Sequence, residues 1–291
     1  MEVLSFDIEG KFAHFRKFHG NNTAMSYSIP PRTTIAGMLA AIMGEEKDSY
    51  YKNYQTQNLQ IGIRVLSDLK KSFHRLNFLR IKKETGFQLD KTGKLFNKSR
   101  YFSGYYSRNV IGTTETTGPM QTPFEVVTGN DLKKDSVKYR IYMASGENRD
   151  PFDQISKKLK NNNRQFNLSL GIAGFTAFVS NVQEFTASEK NCNKEWINLH
   201  SAGNSEQIEE INFPSNSEFK FNHIEEELLP ADFIGGEKGR EVYRMNRVLF
   251  ATRNFPIHVK LSGKYFQLRR DDASEDPENF QFLTYAGLFT Q

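Results

Sequence analysis

Cationic and aromatic side chains alternate along one stretch of the chain, a combination that suits single-stranded nucleic acid. Residues 64–110 hold twelve basic and three acidic side chains, a surplus of nine positive charges. The aromatic residues among these charges are Phe73, Phe78, Phe87, Phe96, Tyr101, Phe102, Tyr105 and Tyr106. Because lysine and arginine neutralise phosphates while bases stack on rings, the stretch is predicted to contact nucleic acid. The alternative is a solvated basic hairpin whose rings pack on the domain beneath it.

A second possible chemistry is metal-independent RNA cleavage, which needs a base, an acid or stabilising cation, and a positioned 2′-hydroxyl. His14, Lys17 and Tyr27 are the candidate residues for it. Single histidines are more often structural, however. The sequence also has no HExxH, Walker-type or GxSxG motif and no carboxylate pair with metal-site spacing. We therefore predict no catalytic residue, no metal ion and no cofactor, and keep an endoribonuclease as an alternative.

Negative charge is concentrated elsewhere, in residues 183–230, which hold ten glutamates and three lysines. Cys192 is the single cysteine, so an internal disulfide is excluded. No apolar run approaches the roughly eighteen residues of a membrane-spanning helix, and the N-terminus lacks the layout of a signal peptide. We predict a cytoplasmic protein with no membrane partner. A scaffold whose basic hairpin binds an acidic protein is a second alternative function.

The elements that position these residues are predicted in the order strand, helix, strand, insertion, strand, helix, strand. The strands are indicated by apolar alternation in residues 4–8, 61–65 and 139–143 and by the apolar run 175–182. The helices are indicated by Ile35, Met38, Leu39, Ile42 and Met43 at helical spacing before Gly44, and by Asp150-Pro151. The fold class is thus α+β, with the ferredoxin-like, RRM-like βαββαβ order.

Two parts of the chain are predicted. Residues 1–185 form the RRM-like domain, with a long basic β-hairpin inserted at about residues 70–125. Residues 186–291 form a smaller β-rich C-terminal region. Within it, residues 257–261 and 265–268 are predicted to pair as a hairpin around a Ser262-Gly263-Lys264 turn.

The N-terminal motifs resemble a known family. FDIEGKFAHFRKF followed by YSIPPRTTIAGMLAAIMG is similar to the opening of the Cas-five family of CRISPR-associated RAMP proteins. The resemblance continues through Gln121-Thr122-Pro123-Phe124-Glu125 and Tyr139-Arg140-Ile141-Tyr142. It covers about residues 1–182 and is greatest for the type I-B subtype.

The resemblance implies a non-catalytic subunit of Cascade, the surveillance complex of CRISPR antiviral defence. Such a subunit binds and caps the 5′ handle of the CRISPR RNA (crRNA), and the inserted hairpin, called the thumb, reaches the guide–target duplex. The implied partners are therefore crRNA, the Cascade backbone subunit, the Cascade large subunit and target DNA near the guide duplex.

The resemblance also implies which residues bind RNA. Arg32 and Thr33 stand at the start of the first helix, where the helix dipole favours a phosphate, although Arg32 could instead pair with Asp7 or Glu9. Gly171 and Gly174 allow RNA or a neighbouring subunit close to the backbone. The other implied RNA-binding residues are Arg16, Lys17, Arg75, Arg80, Lys82, Lys83, Arg100, Tyr101, Tyr105, Arg108, Gln121 and Thr122.

Overall fold

The structure is a computed structural model that describes residues 1–18, 23–79, 87–89, 95–97, 119–192, 195–213, 223–236, 239–268 and 277–284. The chain divides into two units. The first consists of Met1–Lys17, Met25–Ser72 and Val126–Gln291, and the second of Phe18–Ala24 and Phe73–Glu125. The second unit covers nearly the same residues as the predicted thumb insertion.

The described residues are mostly β-structure with two helices, α1 (Arg32–Met43) and α2 (Asp150–Lys160). The strands are, in chain order, β1 (Glu2–Gly10), β2 (Phe12–Ala13), β3 (Phe15–Arg16), β4 (Ser26–Tyr27), β5 (Leu59–Val65), β6 (Leu69–Leu79), β7 (Phe87–Leu89), β8 (Leu95–Asn97), β9 (Pro119–Gly129), β10 (Val137–Ser145), β11 (Leu168–Ser169), β12 (Thr176–Asn191), β13 (Trp196–Leu199), β14 (Gly203–Asn204), β15 (Ile208–Ile211), β16 (Ile224–Gly236), β17 (Gly239–Ala251), β18 (Ile257–Leu261), β19 (Lys264–Leu268) and β20 (Glu278–Phe280). Neither helix of the described part has the length and apolar content needed to cross a membrane.

The four strands and two helices predicted for the first part are confirmed. Strands β12, β1, β10 and β5 lie side by side in this order, and each neighbouring pair is antiparallel. Alternate residues of β1, namely Leu4, Phe6 and Ile8, are buried in one core together with apolar residues of α1 and α2. The period of two in β1 therefore places one face of the sheet against both helices.

Helix α1 ends at the residue that its sequence predicts. Gly44 follows it with φ +83°, and the Gly44 N–H donates to the carbonyl of Ala40 at 2.8 Å. Glycine takes this left-handed conformation without the steric cost of a Cβ atom, so it closes the helix. Ile35, Leu39 and Ile42 are buried, which confirms the apolar face that predicted the helix.

Strand β12 continues the sheet across the predicted boundary at residue 185. Its first part pairs with β1 and its last part with β19, and β11 pairs with its first two residues. Among the described strands the order then continues β19, β20, β13, β18, β15. Residues 186–291 are β-rich, as predicted, but they extend the sheet of the first part and belong to the same unit.

The C-terminal strands lie over the sheet face that is opposite the helices. Phe280 in β20 stacks on Tyr142 in β10 with ring centroids 4.4 Å apart, although three strands separate β20 from β10 in the sheet order. The N–H of Leu283 donates to the carbonyl of Ile61 in β5 at 2.8 Å. The sheet therefore curves until its C-terminal part covers the outer edge at β5.

The predicted hairpin of residues 257–268 is wrong. Strand β18 pairs with β13 and β15, whereas β19 pairs with β12 and β20. The Ser262 N–H donates to the carbonyl of Gln207 at 2.8 Å, and the Gly263 carbonyl accepts from the N–H of Cys192 at 3.2 Å. Because these hydrogen bonds hold Ser262 and Gly263 against other segments, the β18–β19 connection joins two strands that do not pair with each other.

The glycine-rich segment before β12 is packed against the start of the chain. The His14 N–H donates to the Leu170 carbonyl at 3.0 Å, which brings the two backbones together. Gly171 has φ +96°, and a Cβ atom there would lie 1.9 Å from the carbonyl oxygen of His14. At Gly174, a Cβ atom would meet nothing within 4 Å. The chain itself makes the close approach at Gly171, where RNA was expected, and Gly174 faces open space.

The two glycines are predicted to differ in their effect on stability. Gly171→Ala should lower the free energy of unfolding by about 1–3 kcal/mol, because it adds backbone strain and a clash with the His14 carbonyl. Gly174→Ala is the control and should change it by no more than about 0.5 kcal/mol. Urea unfolding followed by circular dichroism measures both. Equal stability of the two variants would contradict the close approach.

Candidate nucleic-acid interface

Arg32, implied as a phosphate contact, lies inside the protein. Its side chain is 1% exposed. Nη1 donates to Asp232 Oδ1 at 2.7 Å and to the Ala231 carbonyl at 3.1 Å, while Nη2 donates to the carbonyls of Tyr54 at 2.7 Å and Leu59 at 2.6 Å. Burial lowers the pKa of Arg32 to about 10, against the opposing effect of the Asp232 carboxylate. The guanidinium thus joins the first turn of α1 to β16 and to the segment before β5.

Asp232 is enclosed by further donors. It accepts hydrogen bonds from the Thr56 N–H at 3.0 Å and from the Thr56 hydroxyl at 2.9 Å, and Arg244 Nη1 lies 3.8 Å from Oδ2. Beside it, the Thr33 hydroxyl donates to the Pro230 carbonyl at 3.5 Å. Strand β16 therefore covers the first turn of α1. This placement differs from the implied phosphate contact of Arg32 and Thr33, and also from a pairing of Arg32 with Asp7 or Glu9.

Lys17 is held by a carboxylate of the same strand. Its Nζ lies 2.7 and 2.8 Å from the two carboxylate oxygens of Glu227, and 5.1 Å from the ring centroid of Tyr27. The Lys17 and Glu227 side chains are 12% and 15% exposed, so solvent screens this pair only partly. Burial, with a smaller contribution from Glu227, raises the pKa of the Tyr27 hydroxyl to about 12, which keeps the phenol neutral.

A second carboxylate of β16 completes the cluster. The Ser28 hydroxyl donates to Glu225 at 2.5 Å. Lys71 Nζ lies 3.6 Å from Glu225 and 3.5 Å from Glu227. We call Glu225 and Glu227 the β16 carboxylate pair. It neutralises two lysines that would otherwise offer positive charge to a phosphate.

Other implied residues are exposed. In the first unit, Arg16 lies in β3 with an exposed side chain. In the second unit, Arg75 lies in β6 and is exposed, as is Phe73, whose side chain is 60% exposed. Phe73 and Arg75 are two residues apart in a strand, so they share one face. An exposed ring beside a guanidinium is the combination that stacks a base and binds its phosphate.

The remaining implied residues of the thumb fall mostly beyond what the structure describes. Those outside the described residues are Arg80, Lys82, Lys83, Arg100, Tyr101, Tyr105 and Arg108. Gln121 and Thr122 lie in β9, where Thr122 is half-buried and only the backbone of Gln121 is described. The RNA-binding role of this group stays a prediction.

The sheet face opposite the helices carries charge pairs and a covered ring. Asp7 in β1 is buried and accepts hydrogen bonds from Arg140 Nε and Asn181 Nδ2, both at 2.8 Å. RNA-recognition domains stack bases on aromatic residues of their sheet. Here the ring of Phe280 stacks on the ring of Tyr142, so a side chain of the protein occupies the position where a base would stack.

The three candidates for RNA cleavage are not arranged around an open site. His14 is 2% exposed and Tyr27 is fully buried. Lys17 is paired with Glu227. Within the part of the chain that the structure describes, no group of three or more His, Cys, Asp or Glu side chains has the arrangement to hold a metal ion.

Sequence reasoning missed the β16 carboxylate pair and its partner Lys71. A signal was present, because Glu225, Glu226 and Glu227 directly precede the apolar Leu228-Leu229. In a strand, the first and third of these glutamates face one way and the second faces the other. The pairing of β16 with this particular part of the chain was not readable from the pattern.

The family is identified by a sequence match. Residues 3–125 match the model of the family described as CRISPR-associated protein (Cas_Cas5). The match contains β1, α1, β5 and β6, together with the basic stretch from which nucleic-acid contact was predicted. The predicted membership is thereby confirmed, and the type I-B subtype stays a prediction.

Two solved structures are similar to this chain. One is a CRISPR protein from Archaeoglobus fulgidus, with 13% identity over 99% of this chain and 100% of that chain and a TM-score of 0.49. The other is a CRISPR RNA-guided surveillance complex, with 12% identity over 89% of this chain and 91% of that chain and a TM-score of 0.45. No curated protein matches the sequence. The family assignment therefore rests on the sequence match.

Arg32→Ala is predicted to destabilise the fold. It should lower the free energy of unfolding by about 3–5 kcal/mol, because Asp232 would be left as a buried, poorly compensated charge. Arg16→Ala removes the same charge from an exposed position and should change stability by no more than about 0.5 kcal/mol. Urea unfolding compares the two variants.

Coupling between the buried partners gives a second readout. The double variant Arg32→Ala with Asp232→Ala should lose less stability than the sum of the two single variants, because neither charge is left alone. Simple additivity would show that the ion pair does not hold β16 against α1.

Proposed function

We propose that this chain is a non-catalytic subunit of a type I Cascade complex, of the I-B subtype, and that it binds and caps the 5′ handle of crRNA. The match of residues 3–125 to the Cas5 family carries this proposal. The matched region includes the whole basic stretch, whose aromatic residues and surplus of positive charge suit single-stranded RNA. We propose a cytoplasmic role in antiviral defence.

In this proposal the four strands β12, β1, β10 and β5, with α1 and α2, form a ferredoxin-like platform, and the second unit is the thumb. RNA contacts are assigned to exposed cations, namely Arg16 in the first unit and Arg75 in the second. The start of α1 and the centre of the sheet are not assigned to RNA, because β16 and Phe280 cover them. We propose the Cascade backbone subunit, the large subunit and target DNA beside the guide duplex as the other partners.

We propose that this chain does not cleave RNA. A general base must reach the 2′-hydroxyl that it deprotonates. His14 and Tyr27 are buried, and Lys17 is paired with Glu227, so the arrangement gives no support to a nuclease.

The RNA that accompanies the protein tests the function directly. We expect the tagged chain, purified gently from its own host, to carry RNAs that share one repeat-derived 5′ end, together with other Cascade subunits. Sequencing of the RNA and mass spectrometry of the proteins measure this. Mature guides made by the isolated chain from a precursor transcript would favour a nuclease, and an absence of RNA would favour a protein-binding scaffold.

Charge reversal tests the assigned contacts. Arg16→Glu and Arg75→Glu should each weaken binding of a repeat-derived handle RNA by about fivefold or more and reduce the slope of log affinity against log salt. Lys47→Glu is the matched control, because Lys47 is 91% exposed and lies in the α1–β5 connection. Fluorescence anisotropy over a range of salt concentrations measures all three. Equal weakening by the control would show general charge attraction, since phosphate contacts alone carry no sequence information.

A further inference from the structure

The cluster around Lys17 has the composition of a phosphate site. Two ammonium groups, those of Lys17 and Lys71, and the hydroxyl of Ser28 converge on carboxylate oxygens within 2.5–3.6 Å. Ammonium and hydroxyl donors are the groups that proteins use for phosphate oxygens. In this structure the acceptors are the β16 carboxylate pair.

One further donor borders the cluster. The Tyr27 ring lies beside Lys17, and its hydroxyl is buried with no hydrogen-bond partner among the described residues. Buried polar groups are nearly always bonded, so an unpartnered phenol on a ring beside Lys17 indicates a missing acceptor. The carboxylate pair therefore satisfies the lysines and Ser28 but not Tyr27.

Only two of the three consecutive glutamates of β16, Glu225 and Glu227, face Lys17 and Lys71. Glu225 and Glu227 are two residues apart, so they face the same side of the strand, about 7 Å apart. Glu226 faces the other side, where its carboxylate lies 3.8 Å from Arg247. Only the alternate glutamates of the acidic run reach the lysines.

The two carboxylates lie at the start of β16, whereas Asp232, which holds the strand against α1, lies further along it. Asp232, which binds Arg32, is separated from them by a register shift between Pro230 and Asp232. A shift of this kind disrupts the hydrogen-bond ladder locally and bends the strand. The β16 carboxylate pair and Asp232 therefore lie on opposite sides of this irregularity.

We propose that Lys17, Lys71, Ser28 and Tyr27 form a phosphodiester site that the β16 carboxylate pair closes in the free protein, and that RNA opens it by displacing the start of β16. The inference rests on the proposed function, because it requires an RNA ligand. It adds that the chain limits its own affinity for RNA. Polyanions that bind too weakly to replace two partly buried carboxylates are rejected.

Neutralising the pair is the first test. Glu225→Gln with Glu227→Gln should tighten binding of a fluorescein-labelled single-stranded RNA of mixed sequence by about three- to tenfold, and should steepen the salt dependence, since two more cations become available to phosphates. The control is Glu210→Gln with Glu226→Gln. It removes the same charge from carboxylates that lie 3.0 Å from Lys260 and 3.8 Å from Arg247. Equal tightening in both variants would overturn the closure.

The lysines provide the second test, because their effect should depend on the carboxylates. Lys17→Gln with Lys71→Gln should weaken RNA binding by less than about twofold in the natural sequence, because the lost phosphate contacts are offset by the ion pairs that RNA no longer has to break. The same double change should abolish the gain in the Glu225→Gln, Glu227→Gln background. The same loss in both backgrounds would show that RNA breaks no ion pair when it binds, which overturns the closure. Thermal unfolding of every variant checks that the fold is kept.

Failure of the inference differs from failure of the proposed function. If the natural sequence binds handle RNA through Arg16 and Arg75 but the carboxylate variant equals its control, only the closure is wrong. If no variant binds RNA and reversal of Arg16 and Arg75 has no effect, the proposed function is wrong, and the closure is wrong with it.

Discussion

The buried ion pair between Arg32 and Asp232 links two segments that are 200 residues apart, and much of the first unit depends on it. A guanidinium and a carboxylate that are each 1% exposed are stable only when they meet, because either charge alone would lose its hydration without compensation. Such a pair adds little net stability compared with apolar packing. It does select one arrangement, the one in which β16 covers the first turn of α1.

That arrangement decides where charge is available. Once β16 lies along α1, Glu225 and Glu227 are placed over Lys17 and Lys71, so the charges of these two lysines are neutralised internally. Arg75, farther along β6, is exposed. Part of the charge separation along the sequence thus corresponds to an internal contact, in which glutamates of the acidic stretch meet Lys17 and Lys71.

Local patterns predicted the elements well. Apolar spacing and Gly44 predicted α1, and Asp150-Pro151 predicted the start of α2. These signals are local, because the buried face and the ends of a helix are determined by residues only a few positions apart. Long-range pairing was not readable in the same way. The connection Ser262-Gly263 has the composition of a hairpin turn, yet it is hydrogen-bonded to Gln207 and Cys192, and the strands on its two sides do not pair with each other. The partner of Arg32 likewise depended on a strand that the composition did not reveal.

The family motif illustrates the same limit at the site. Arginine at the start of a helix combines a guanidinium with the positive end of the helix dipole, and this favours an anion of any kind. The chain supplies that anion itself, as Asp232, and the carbonyls of Tyr54, Leu59 and Ala231 accept further hydrogen bonds from Nη1 and Nη2. An arginine in such a motif is thus equally suited to a phosphate and to a buried carboxylate. Only the position of β16 distinguishes the two, and it makes Arg32 a residue that holds the fold together.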